Sequence, residues 1–306
     1  MHPRAETILS ASRRTDIPGA YAPWFMSCIR RGEFQVTNPF NRRTKTVIAT
    51  PETIHSIVFW SKNYGPFLDL GCHRELEEMG HRLFFNFTVN SPCPPLEPRL
   101  PPLEQRLDQV RRLVRSWGAG AVVWRFDPIC FYRMGNGPRK HNLQDFLPLA
   151  DAMAQWGVST CITSFYDAYG KVNQRVRYLA RQGSVSPTFV EPGESEKLDI
   201  LHRMADQLAQ RGIQLHLCCE KELLDQLKNQ GIKVHPGRCI NGHALESLYG
   251  GNPEQKRDYG QRSKLGCRCT RAVDIGSYQD HPCPHNCLFC YARTGLDTRM
   301  GQGKEK

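Results

Sequence analysis

Leu103-Glu-Gln-Arg-Leu-Asp-Gln-Val-Arg-Arg-Leu-Val-Arg-Ser-Trp-Gly-Ala-Gly-Ala-Val-Val-Trp-Arg-Phe126 is a complete helix-to-strand unit, and its reading decides the fold. Leu103, Leu107, Val110, Leu113, Val114 and Trp117 recur at helical spacing, and Pro101-Pro102 marks the start. Gly118 suits the left-handed residue that closes a helix. The apolar run Ala121–Phe126 that follows at once reads as a strand.

The same punctuation recurs along the chain. Gly80 precedes the β-rich run Arg82–Val89, Gly157 precedes Ser159–Phe165, Gly212 precedes Ile213–Cys218, and Gly231 precedes the shorter Ile232–His235. Leu198, Leu201, Met204, Ala205 and Leu208 predict a second long helix before Gly212. Two earlier runs, Thr7–Ala11 and Ser56–Trp60, read as strands as well. Strands that alternate with helices pair in parallel through crossovers. Seven or eight of them predict an α/β chain, a full or partial (β/α) TIM-like barrel rather than an open doubly wound sheet. The expected organisation is a barrel over residues 1–251, a cysteine-rich cluster-binding segment of the same domain over 252–295, and a frayed tail over 296–306.

Composition narrows the class. With 306 residues, 40% hydrophobic and 23% charged, the chain is large enough for a sizeable core and too apolar for disorder. No apolar run reaches bilayer length, and the first residues carry no apolar signal-peptide core, so a cytoplasmic protein with no membrane partner is expected. Lys and Arg number 41 against 30 Asp and Glu, a net charge of +11. That balance favours polyanionic partners, nucleic acid among them, but the basic residues are scattered rather than blocked.

Thirteen cysteines in such a chain point to metal binding or redox chemistry rather than a disulfide framework. Six of them, Cys239, Cys267, Cys269, Cys283, Cys287 and Cys290, crowd the last quarter. In Asp280-His-Pro-Cys-Pro-His-Asn-Cys-Leu-Phe-Cys-Tyr-Ala292, the thiols of Cys283, Cys287 and Cys290 can converge while the backbone wraps round them. Three thiolates suit three iron corners of a cubane cluster. A zinc site wants a fourth protein ligand, for which His281, His285, Cys267 and Cys269 are the candidates.

That spacing, with Phe289 before the last cysteine and Tyr291 after it, resembles the cluster loop of radical S-adenosylmethionine enzymes. The resemblance implies a [4Fe-4S] cluster on Cys283, Cys287 and Cys290, whose free iron chelates S-adenosylmethionine before reductive cleavage to a 5′-deoxyadenosyl radical. It also implies a reductase or ferredoxin-type electron donor. The chain further resembles a bacterial family of unknown function with a radical-SAM-like cysteine cluster at its C-terminus. The matching stretches are Ile8–Pro18, Asn38–Asn41, Ile57–Asn63, Trp124–Ile129, Ser164–Asp167, and Gly260–Arg262 through Asp274–Tyr278 to the cluster. The family implies a cofactor class and leaves the substrate unknown. The chain departs from most radical S-adenosylmethionine enzymes in placing the cysteine loop last rather than after the first strand. Either Ala272–Gly276 is a strand that leads into the loop, as in a permuted barrel, or the segment caps a separately closed one.

Residues just past strand ends face the reaction chamber of such a fold. That rule selects Arg13, Arg14 and Asp16, then Lys62 and Asn63, Arg125 and Asp127, Asp167 and Lys171, and Glu220. Of these Arg13, Arg125, Asp127, Lys171 and Glu220 are the catalytic candidates. Arginine can fork onto a carboxylate, and Arg125 in an apolar strand needs a partner or ligand. Structural ion pairs are the competing account. Trp60 and Trp124 read as packing residues. Cys267 and Cys269, two apart in an extended segment, face one side, and with Cys239 they make a second candidate metal site, for an auxiliary cluster or zinc. Cys218 and Cys219 are expected to point apart in a strand and are read as core. The rival to a radical-SAM-like enzyme is a zinc- or cluster-bearing nucleic-acid-binding protein.

Overall fold

The computed structural model describes residues 6–39, 41–181 and 186–292. Eight parallel strands form one sheet: β1 (Thr7–Ala11), β2 (Ile54–Ser61), β3 (Leu83–Thr88), β4 (Val122–Ile129), β5 (Thr160–Phe165), β6 (Gln214–Leu217), β7 (His235–Pro236) and β8 (Val273–Asp274). Their spatial order is β7-β6-β5-β4-β3-β2-β1-β8. Each strand from β2 to β7 therefore lies beside its predecessor, and β8 returns to the free edge of β1 through Leu9↔Val273 and Ser10↔Asp274. Parallel neighbours need long crossovers. Helices such as Leu103–Trp117, Phe146–Gln155, Glu194–Ala209 and Lys221–Asn229 supply them.

The predicted punctuation is a matter of backbone conformation. Gly80, Gly118, Gly157, Gly212 and Gly231 have φ between +69° and +87°, the left-handed region in which a Cβ is strained. Glycine therefore ends each of the preceding elements and turns the chain back towards the sheet.

Alternation along the strands gives the sheet two apolar faces. Leu9, Ile57, Phe59, Phe85, Phe87, Trp124 and Phe126 pack against the helices. Ile8, Val58, Phe84, Val123 and Ile162, one from each of β1 to β5, point the other way and pack with Cys218, Ile240 and Leu245. Residues that follow β6 and β7 cover this second face of the sheet. Asn86 of β3 reaches across this interior to donate to the Cys239 carbonyl at 3.0 Å.

Among the described residues no ladder joins β7 to β8, so the expected barrel stands as a mixed α/β fold with an eight-stranded parallel sheet that does not close. The reason lies in the edges: both strands are two residues long, too short for a continuous ladder. Thr270 joins the flanking segments, its N–H donating to Ile240 O at 2.9 Å and its Oγ1 accepting from Gly242 N at 3.0 Å. Of the two arrangements expected for the C-terminus, the strand at 273–274 leads directly into the cysteine loop. The hairpin Glu33–Thr37/Thr44–Ile48 and the antiparallel trio Phe131–Met134, Arg139–His141 and Pro187–Phe189 were not foreseen. The expected tail, 296–306, lies outside the described residues, and so do residues 293–295 of the expected cluster segment.

Candidate functional site

The C-terminal ends of the strands surround a cavity of about 260 Å³. Arg125 on β4 points inward, its Nη1 2.8 Å from Cys239 Sγ and its Nη2 paired with Asp127. Burial works against the guanidinium, yet Cys239 and Asp127 outweigh it and hold its pKa well above the usual value. Asp127 also accepts from Ser164 Oγ at 2.5 Å. Arg13, just past β1, sets Nη1 3.2 Å from Asp258 and lies 5.7 Å from the centre of the Trp60 ring. Its loop is fixed by Asp274 of β8, which accepts from Ser10 Oγ, Ser12 Oγ and the Arg13 amide at 2.7–2.8 Å.

The cysteine loop covers one side of this cavity. Cys283, Cys287 and Cys290 all border it. Asp16, beyond β1, accepts from Gly19 N, Ser61 Oγ and His285 Nε2 at 2.5–2.8 Å, which ties the loop to β1 and β2. Leu288 N–H bonds Leu96 O at 2.8 Å, Tyr21 Oη donates to Pro282 O at 2.6 Å, and Arg175 donates to the Cys290 carbonyl. Lys62 is paired with Glu97 and sits 5.0 Å from the Phe289 ring centre; Cys287 Sγ is 3.9 Å from the same carboxylate. Burial pushes the Cys283 thiol up to about 12, with Asp16 adding to the effect, and burial pushes Cys287 well above its ordinary value against the pull of Lys62.

One nitrogen of each candidate zinc imidazole is bonded within the protein, which leaves the other ring nitrogen for a metal. His285 is bonded to Asp16, and His281 Nδ1 accepts from Ser277 N at 3.2 Å while its ring packs 4.1 Å from Trp24. Cys267 and Cys269 belong to a different group. Among the described residues no three His, Cys, Asp or Glu side chains are poised to hold a single metal ion. The corners of an iron–sulfur cluster bind separate irons, so its thiols need not converge on one point. Three thiols on one cavity, which His285 also borders, are a donor set that fits such a cluster.

That other group is larger than the expected trio of Cys239, Cys267 and Cys269. Cys218 Sγ lies 3.8 Å from both Cys219 Sγ and Cys239 Sγ. Cys219 also meets Cys267, and Cys269 meets both Cys239 and Cys267. Cys218 is a core residue, as expected, with Cys219 packed against it, but the two do not point apart, because β6 ends at Leu217 and Cys219 has φ +63°. Of the adjacent pair, Cys219 ionises more readily: its sulfur accepts from Cys218 and Cys267, and Arg262 lies nearby.

The remaining candidates fall as follows. Arg13, Asp16, Lys62, Arg125, Asp127 and Asp167 border the cavity. Asp167 is bound by Arg262 at 2.6 Å, a partner the sequence did not suggest. Glu220, expected to face the chamber, is not among the residues that border the cavity; it accepts from the Phe165 amide at 2.8 Å, and burial pushes it up to about 7, with Asp167 and Asp127 adding to the shift. Lys171 stands outside, exposed, with Nζ 6.0 Å from the Tyr278 ring centre, because the helix Gly170–Arg181 starts there. Trp124 packs on the helix side and donates to Val89 O at 2.9 Å, whereas Trp60 borders the cavity. No helix among the described residues is long and apolar enough to cross a membrane.

Comparison with known proteins adds a family and little else. No curated protein matches the chain. Among solved structures, a D-hydantoinase from a Bacillus sp. AR9 is 12% identical over 60% of this chain, of which it matches 39% of its own length, with a TM-score of 0.33. An IDCase from Metarhizium anisopliae in apo form is 13% identical over 77% of this chain and 73% of its own, with a TM-score of 0.31. Similarity at this level carries no argument about activity. A family model matches residues 8–292, and the chain belongs to that family, described as a domain of unknown function, DUF1848.

Proposed function

We propose that the protein is a radical-SAM-like [4Fe-4S] enzyme in which Cys283, Cys287 and Cys290 hold three irons of the cluster. The observation that carries this reading is the meeting of those three cysteines with Arg13, Arg125 and Asp127 on one cavity at the strand ends. A cluster bound there, reduced by a ferredoxin-type donor, supplies the one-electron chemistry that cleaves S-adenosylmethionine.

The chain's own residues have separable tasks in this reading. Asp16 positions the cysteine loop through His285. Lys62 offsets negative charge beside Cys287 while Glu97 holds its ammonium in place. Arg13, whose Nη1 is paired with Asp258, offers a cationic group to a carboxylate, and Arg125, held by Asp127 and Cys239, adds positive charge to the cavity. Apolar packing of Leu288 and Phe289 against Leu96 and Tyr132 keeps water from the rear of the loop.

Anaerobic purification with iron and acid-labile sulfide analysis tests the proposal. Brown protein with about four irons per chain, lost on Cys283→Ala/Cys287→Ala substitution, is the expected result. A colourless protein that carries zinc alone contradicts it and favours a metal-bearing binding protein.

A further inference from the structure

The five thiols around Cys218 lie on the same cavity but take no part in the proposed cluster, and they come from three separate places. Cys218 and Cys219 follow β6, Cys239 follows β7, and Cys267 and Cys269 precede β8. These are the segments that flank the gap where the sheet fails to close. We infer that Cys218, Cys239, Cys267 and Cys269 bind one divalent ion of the zinc class as a tetrathiolate, which closes that gap.

Three observations carry the inference. The first is spacing: four sulfurs about 2.3 Å from a single ion in a tetrahedron stand about 3.8 Å from one another. That is the separation of Cys218 Sγ from Cys239 Sγ. The thiols meet in pairs rather than around a preformed centre, so ligation requires their side chains to turn towards a common point. The second is burial. All four are under 9% exposed, and Cys219, the remaining thiol, is half-buried. All thirteen cysteines are free, so no disulfide accounts for the grouping.

The third observation is charge. A tetrathiolate around a dication carries about two negative charges, which an apolar interior does not tolerate alone. Arg125 Nη1 is 2.8 Å from Cys239 Sγ, and Arg13 and Arg262 lie within electrostatic reach of the same group. The backbone is already fixed: Arg257 holds the Cys267 carbonyl at 2.6 Å, and Asp258 N–H bonds Cys269 O at 2.9 Å. Soft thiolates of this number select zinc over the harder dications.

This site does not rest on the iron–sulfur reading, and the two are separated by counting both metals in each protein. The full chain, purified anaerobically, is expected to hold about one zinc besides any iron. Cys239→Ala/Cys269→Ala should lose the zinc and keep the iron content, whereas Cys283→Ala/Cys287→Ala should do the reverse. Because the first variant can fail to fold, the unmodified chain is also stripped with a chelator and titrated with Co²⁺. Intense sulfur-to-cobalt charge-transfer bands at about one equivalent support the site. Absence of both zinc and those bands overturns it, as does a disulfide among the four cysteines or a doubled iron content lost on Cys239→Ala/Cys269→Ala.

Discussion

His285 and Asp16, 269 residues apart in sequence, are joined by a hydrogen bond of 2.5 Å between Nε2 and Oδ2. Both side chains are 6% exposed, and the same carboxylate caps Gly19 and takes the Ser61 hydroxyl. One acidic residue thus fastens the cysteine loop to the first two strands of the sheet.

Replacing Asp16 leaves several buried donors without an acceptor, each costing about 1–3 kcal/mol. Asp16→Ala is therefore expected to lower stability by about 3 kcal/mol and to reduce iron retention. His285→Ala, which removes one of those donors with its bond, should cost less. Urea unfolding and iron content measured on both variants check the order. Equal stability and iron content in Asp16→Ala and the parent would show that the loop is held by other contacts.

Gly276 is needed for close approach rather than for a left-handed backbone. A Cβ there would lie 2.1 Å from Ser12 Oγ and 2.7 Å from Ser12 Cβ, in the turn that Asp274 organises. Gly276→Ala is expected to cost about 3 kcal/mol through overpacking. Gly170→Ala, where nothing lies within 4 Å at the start of a helix, should cost nothing. Thermal melts of the two variants distinguish the positions.

Arg125 is braced at two points, by Asp127 and by Cys239. Arg125→Met leaves the partly buried Asp127 carboxylate without its cation and is expected to destabilise by about 2 kcal/mol. Arg125→Lys should rescue little of that, since an ammonium on a flexible stem cannot replace a planar fork at both partners. A lysine variant as stable as the parent would place the interaction in simple charge.

The strands that read clearly are those long enough for the alternation of apolar residues to show, and β3 to β6 follow glycines whose backbone demands glycine. β8 was legible only as one of two alternatives, a strand within Ala272–Gly276, because two residues carry no periodicity; Val273–Asp274 is defined by its pairing with β1. Glu33–Thr37 did carry a signal, with Phe34 and Val36 buried between exposed neighbours. The cavity was legible at Arg13, Arg125 and Asp127, which sit on or just past long strands. Cys218 and Cys219 were misread because the strand stops before them. Glu97, which pairs Lys62, lies in a loop with no pattern to mark it, and Lys171 is carried away by the loop that precedes its helix.

His81 gives the fold an acid-sensitive point away from the cavity. It is 4% exposed, neither ring nitrogen has a hydrogen-bond partner, and burial lowers its pKa despite the opposing charge of Glu52. The fold therefore prefers the neutral ring. Above the unfolded value of about 6.5 nothing is lost, and stability declines as the pH falls below it through the folded value, because the unfolded chain takes up the proton more readily. His81→Leu should remove this share of the decline, so its advantage over the parent widens between about pH 7.5 and about pH 5. Urea midpoints across that range check it; a constant difference would assign the acid sensitivity to other groups.

The central claim is an iron–sulfur centre on Cys283, Cys287 and Cys290 with one iron open to S-adenosylmethionine. The most direct measurement is electron paramagnetic resonance of the anaerobically reduced protein before and after S-adenosylmethionine is added. The account predicts a reduced-cluster signal whose g-values shift on addition, and no such signal in Cys283→Ala/Cys287→Ala. A cluster signal indifferent to S-adenosylmethionine, or no cluster signal from the intact protein, would contradict it.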